Sequence, residues 1–277
     1  EYEYVASGQP SSGGGNSGGG SDSGFQLERA LNLSSVIPFG QWSSARWQSA
    51  FGTLLYSQHD QNISTVNDGG DTWIKAKHGP NSASITTQFG GVLPDHDTYR
   101  VEQTFKLLPG WDWGGDSVNT QGGKIGFGIA GGGSKGFIVS GGLIDKYGWS
   151  VRPSYRGNTL QLYTYNSDRQ SIRQGENPAY GNEYPMPRYT ANGPRLEIGV
   201  EYDLVYEVHI NSQGKSDGTL KAWLDGVQFV NDSGIKYMEG DPEIDRIFFN
   251  TFHGGGSSFN PSKDVFIQYK DIRYSSK

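Results

Sequence analysis

The sequence contains no cysteine, two methionines, five histidines and no long apolar run. Without cysteine there is no disulfide framework and no thiolate-bound metal. No two histidines have the spacing of a zinc-hydrolase helix, so no zinc site is expected. No stretch approaches the ~18 consecutive apolar residues of a membrane-spanning helix. With a mean hydropathy of -0.61, no membrane partner is expected. Charged residues make up only 19% of the chain, and the formal net charge is -6. That balance argues against nucleic acid as a partner. A sustained 3.6-residue apolar period is also missing, which excludes regular alternation of strands and helices.

Glycine and aromatic residues are plentiful, with 42 glycines and 13% Phe, Trp and Tyr. Residues 1–24 include GQPSSGGGNSGGGSDSG, a Gly/Ser-rich linker expected to be disordered because it has nothing to bury. A folded domain is expected over 25–277. A chain that opens at Glu1 and lacks cysteine is expected to be a secreted, extracellular protein whose leader has been removed. A short helix or turn is expected around Leu27–Leu33, stopped by Pro38.

From Trp42 onward, short alternating runs are separated by turn signals. Strands are predicted near Asp71–Lys77, Ser82–Phe89, Tyr99–Leu108, Lys124–Ala130, Trp149–Tyr155, Thr159–Asn166, Tyr202–Asn211, Thr219–Leu224, Val227–Val230, Arg246–Phe252 and Val265–Tyr274. Asp225-Gly226 between two of these runs is a hairpin turn signal. So many antiparallel strands in one domain give an all-β fold, a β-jelly roll or two-sheet antiparallel sandwich with a groove on its concave sheet. The proline-rich segment Gln170–Arg195 reads as an irregular loop placed to wall that groove.

Three runs in the middle of the chain carry the chemistry. Ile125, Phe127 and Ile129 alternate with Lys124, Gly126 and Gly128. Trp149 and Val151 alternate with Ser150 and Arg152, and Leu160 and Leu162 with Tyr163 and Tyr165. Strand side chains change face at every residue, so Lys124, Ser150, Arg152, Tyr163 and Tyr165 can share the face turned away from the core. Glycines leave that face bare for a ligand. Between Thr120 and Gly175 seven basic residues stand against Asp145 and Asp168, a local positive surplus in an acidic chain. An anionic ligand is the expected partner.

The run GGKIGFGIAGG resembles the GGK-plus-Gly strand of the polysaccharide lyase family 14 alginate lyases and of their family 20 glucuronan-lyase relatives. Ser150-x-Arg152 followed by Tyr163-x-Tyr165 is similar to the family 14 pattern. The closing FFNTFHGGGSSFNPSKDVFIQYKDIR resembles the C-terminal strand–turn–strand of the same families. The likeness runs from about Trp73 to Arg273. Two positions depart from it: Gly126 stands where the family usually has proline, and the gap from Arg152 to Tyr163 is about one residue shorter.

This resemblance implies a β-jelly-roll lyase domain that cleaves a uronic-acid polymer by β-elimination, alginate first and glucuronan second. The reaction needs cations to hold the charge that develops as C5 loses its proton, which Lys124 and Arg152 can supply. It also needs a base for that proton and an acid for the leaving O4, for which Tyr163 and Tyr165 are the candidates. Ser150 would orient substrate or Arg152. His78, beside Lys75 and Lys77, is a second basic cluster for binding, with His78 an alternative base. Trp111 and Trp113 are candidates to stack on sugar rings. No cofactor is implied, and a monomer is expected.

Other readings stay open at this stage. A non-catalytic carbohydrate-binding module shares the sandwich, the aromatics and the tether. Glu243-Ile-Asp245 is similar to the strand of laminarinase-type hydrolases but lacks their repeated acid. The acidic turns Asn67–Asp71 and Gly110–Asp116 read as turn chemistry rather than calcium loops.

Overall fold

A computed structural model describes residues 24–31, 33, 40–82, 87–133, 145–169, 180–186 and 192–277. Apart from Gly24, the linker expected over 1–24 lies outside these residues, as do large parts of Gln170–Arg195. In chain order the strands are β1 (Gln26–Ala30), β2 (Gly40–Gln41), β3 (Leu54–Gln58), β4 (Ile63–Asp68), β5 (Asp71–His78), β6 (Thr87–Val92), β7 (Thr98–Leu107), β8 (Gly122–Lys124), β9 (Phe127–Gly132), β10 (Gly148–Arg156), β11 (Thr159–Tyr165), β12 (Asn182–Tyr184), β13 (Glu201–His209), β14 (Gly218–Leu224), β15 (Val227–Ile235), β16 (Arg246–His253) and β17 (Val265–Ser276).

They pair antiparallel into two sheets packed as a sandwich. One sheet runs β15-β14-β13-β7-β17-β5-β4-β2, with β1 added to β17. The other runs β12-β11-β10-β8-β16-β6-β3, with β9 also lying between β10 and β16. The alternation seen in the sequence supplies the core between them. Ile74, Phe105, Leu204, Tyr206 and Ile267 of the first sheet meet Phe127, Ile129, Val151, Leu162, Ile247 and Phe249 of the second, all essentially inaccessible to solvent.

Two expectations are corrected at the N-terminal end. Gln26–Ala30 is not helical but forms an edge strand on β17. A helix occurs instead at Ser44–Phe51, where Trp47 and Phe51, four residues apart, share one face. Trp47 stacks on Phe89 with ring centroids 4.0 Å apart and reaches Trp42 at 4.1 Å. Its indole N–H donates to Asp60 at 2.9 Å. The segment expected to be wholly irregular also contains β12, hydrogen-bonded to β11.

The predicted Lys124–Ala130 strand is broken in two. Gly126 has φ +104°, a conformation closed to proline, and a Cβ there would lie 2.1 Å from Gln103 Oε1. Gln103, reaching over from β7, repairs the break by bonding both the N–H and the C=O of Phe127. Tyr206 also donates to the Phe127 carbonyl, at 2.9 Å, and Tyr274 to that of Gly128, at 3.2 Å. The glycine-rich strand is therefore held from behind by side chains of the opposite sheet.

Candidate active site

The hairpin joining β10 and β11 sets the register of the site. Its connection is only Gly157-Asn158, with Gly157 at φ +57°. This tight turn accounts for the short gap after Arg152 and places Arg152 directly opposite Tyr163 and Ser150 opposite Tyr165. Lys124, on β8, pairs with Ser154 two residues further along β10. Directly opposed residues in an antiparallel pair share a face, so the five expected groups lie together on the outward side of the sheet.

Their contacts mix cations with phenols. Lys124 Nζ sits 3.9 Å from the centroid of the Tyr163 ring. The Arg152 guanidinium lies 5.4 Å from the Tyr165 ring and 5.0 Å from Phe248, donates to Ser150 Oγ at 3.0 Å and makes a longer contact, 3.4 Å, with Asn250 Oδ1. The Tyr163 and Tyr165 rings are 5.2 Å apart at 65° and form a small cluster of their own, apart from the main core. Burial lowers the pKa of Arg152, while Tyr165, Tyr56 and Tyr163 act in the opposite direction. A guanidinium titrates so high that Arg152 stays charged at any working pH.

Five contributors were not singled out from the sequence. Arg169, fully buried, places its guanidinium 5.1 Å from the Tyr165 ring, so two cations flank that phenol. Burial lowers its pKa, opposed by Tyr165 and Tyr163. The backbone N–H of Gly181 donates to the Tyr163 hydroxyl at 2.9 Å, and a Cβ at Gly181 would stand 2.4 Å from the same ring. Glu183, opposite Tyr163 on β12, is paired with Arg156 at 2.5 Å. Asn250 and Phe248 bring β16 into the site. Of these, Arg169 left a trace in the sequence as part of the basic surplus, and Phe248 and Asn250 as part of the closing FFNTFH run.

The second basic cluster is not at this face. His78 lies between the sheets, 1% exposed, because it continues the inward-facing series Ile74, Ala76, His78 of β5. It contacts His253 at 3.0 Å and Thr251 at 2.6 Å, and burial followed by the neighbouring His253 holds it well below the ordinary histidine range. Lys77 points the other way, off the opposite sheet, and pairs with Asp264 at 3.5 Å. Lys75 lies over Phe266. Trp111 is 5% exposed and packs on His78, His253 and Tyr155, while Trp113 is half-buried against Trp111 and Tyr155. The Asp112 carboxylate between these tryptophans holds its turn, accepting from Gly114 N–H and from the Ser262 backbone and hydroxyl.

Cations ranged against paired phenols suit elimination. Glycoside hydrolysis instead asks for two cooperating carboxylates, and among the described residues Glu183 is tied to Arg156 and Asp245 to Arg246. A jelly roll carrying this face fits a polysaccharide-cleaving lyase. The family model described as polysaccharide lyase 14 matches residues 109–272, more than half of the chain and all of the central strands, so the chain belongs to that family. It is accordingly an enzyme that breaks a polysaccharide by β-elimination.

Solved structures share the fold. Alginate lyase Aly36B superposes with a TM-score of 0.72 at 20% identity, covering 91% of this chain and 97% of that one. The marine PL-14 alginate lyase of Aplysia kurodai gives 0.72 at 18%, covering 91% and 100%. Alginate lyase vAL-1 from Chlorella virus gives 0.68 at 17%, with the same coverage. No curated protein sequence matches the chain.

Proposed function

We propose that the substrate is alginate, mannuronate-rich regions first, with glucuronan the second choice. The observation that carries this reading is the alternation of charge and phenol on one face: Lys124 on Tyr163, and Arg152 and Arg169 on Tyr165. A uronate carboxylate set against Lys124 and Arg152 would be neutralised as the C5–H bond weakens. A phenolate at Tyr165 would lie between two guanidiniums, which suits the base that removes the C5 proton. The Tyr163 oxygen accepts from Gly181 N–H, which turns its own O–H hydrogen elsewhere and suits the acid that protonates O4. Ser150 fixes the Arg152 fork. The product would carry a 4,5-unsaturated uronate at the new non-reducing end.

Both the family and the solved relatives support this substrate class; Aly36B has been solved with an alginate trisaccharide and with a tetrasaccharide. We also place the protein outside the cell, where such polymers occur; fractionation of the producing cells tests this. The substrate is tested by following ultraviolet absorbance of the unsaturated product on polymannuronate, polyguluronate and glucuronan. The fastest rise is expected on polymannuronate. A preference for glucuronan would replace the first choice by the second. A flat trace on every polyuronate would overturn the reading.

A further inference from the structure

From Arg152 a row of side-chain amides crosses the sheet toward β3. Asn250 on β16 is in register with Gln88 on β6, and Gln88 with Gln58 on β3. Asn250 Nδ2 donates to Gln88 Oε1 at 3.1 Å, and Gln88 Nε2 donates to Gln58 Oε1 at 2.8 Å. The direction of the row is set at its buried end. A guanidinium can only donate, so Asn250 must offer its oxygen to Arg152 and its nitrogen to Gln88, and each later amide follows. The row goes from buried Asn250 through half-buried Gln88 to exposed Gln58.

We propose that this row is a charge-free extension of the substrate track. It binds the sugar residues beyond the reacting uronate through their hydroxyls rather than their carboxylates. The assignment rests on the reading of this face as a polysaccharide-binding site. Asn250 and Gln88 each spend one hydrogen and one lone pair inside the row, and Gln58, at its end, spends one lone pair. The remaining hydrogens and lone pairs are left to face a ligand, alternating donor and acceptor as a line of sugar hydroxyls does. With strands roughly 4.7–4.9 Å apart and four strand spacings between Arg152 and Gln58, the row is on the order of 19 Å long, more than one sugar ring can cover. Beside it, the Tyr56 ring lies against Gly90, where a Cβ would come within 2.5 Å of the ring; the glycine makes room for an aromatic platform. The nearby cation Arg246 is already held by Asp245 at 2.7 Å and by the Gly132 carbonyl.

The test is a length series of oligouronates assayed with wild type, Gln58→Ala and Gln88→Leu. Gln58 is exposed, so its substitution leaves folding out of the question. For oligomers long enough to reach the row, KM is expected to rise about 3- to 10-fold per lost hydrogen bond with kcat held. The shortest cleaved oligomer should be unaffected by Gln58→Ala. Equal effects at every length, or a fall in kcat at constant KM, would overturn the proposal and leave the row as a brace for Arg152. Calorimetric binding of the same oligomers separates this claim from the lyase reading. If nothing is cleaved yet Gln58→Ala still weakens binding of long oligomers, the track stands and the lyase reading fails. An oligomer carboxyl-reduced to the neutral sugar at the end that reaches the row should bind as tightly as its parent; several-fold weaker binding would overturn the charge-free assignment.

Discussion

At the scale of single residues, the proposed roles separate groups that do chemistry from groups that hold them. Replacing Tyr165 by Phe removes one hydroxyl and keeps the ring between Arg152 and Arg169. If Tyr165 is the base, kcat should fall by roughly 10²–10⁴-fold with KM little changed, as measured by initial rates on polymannuronate. Gly181→Ala should cost both activity and stability, because the added Cβ must displace the Tyr163 ring and the Thr164 backbone carbonyl, as rates and thermal unfolding would show. The two buried histidines make a different prediction. His253 Nε2–H donates to the Asp112 carbonyl at 2.7 Å, so its Nδ1 accepts from His78 Nδ1–H; His78 Nε2 then accepts from Thr251, which accepts from Tyr269. This order works only with both rings neutral. Burial, partly offset by Asp112, brings His253 to about 4, and His78 is also held low. An unfolded histidine protonates near 6.5, so above that pH neither state gains. As pH falls from 6.5 toward 4 the unfolded chain binds protons that the fold refuses, and stability drops by about 1.4 kcal/mol per pH unit per histidine. Denaturant titrations at several pH values should show this slope, flattened in His253→Gln; an unchanged slope would contradict it. In the sequence His78 looked like a basic-cluster residue because Lys75 and Lys77 flank it, yet alternation already placed it on the inward face with Ile74 and Ala76.

At the scale of elements, the central hairpin was the most legible part and the N-terminal end the least. The runs that became β5, β7, β10, β11, β13, β14, β16 and β17 were visible through their short apolar alternation and their β-branched and aromatic residues, bounded by turn signals. β1 was read as a short helix or turn because the local pattern does not show its partner, β17, more than two hundred residues away. β12 was invisible because its three residues have no pattern of their own and pair only because β11 offers an edge. The Gly126 break was hidden inside an apparently regular alternation; only the proline-to-glycine departure marked the position. Gly126→Ala is expected to destabilise by about 1–3 kcal/mol, since a Cβ must enter a positive-φ position and push on Gln103. Chemical denaturation would measure it. The helix at Ser44–Phe51 makes a parallel case: Trp47→Ala should cost about 3–5 kcal/mol through loss of packing on Phe89 and Trp42.

At the scale of the whole molecule, an acidic protein places three cations, Lys124, Arg152 and Arg169, around two phenols on one face of one sheet. On the proposed reading, the formal charge of -6 would repel a polyanion at a distance, while Lys124, Arg152 and Arg169 would attract it close in. Raising ionic strength should therefore weaken kcat/KM chiefly through KM, since the Debye length shrinks from ~10 Å at 0.1 M to ~3 Å at 1 M salt. The two-sheet scaffold makes that face rigid by holding β9 from behind through Gln103, Tyr206 and Tyr274. The measurement that bears most directly on elimination at this face is the ultraviolet product absorbance on polymannuronate for wild type, Tyr165→Phe and His78→Gln side by side. A strong rise for wild type, loss of that rise in Tyr165→Phe and its retention in folded His78→Gln is the expected result. A rise that survives Tyr165→Phe and vanishes in His78→Gln would contradict it.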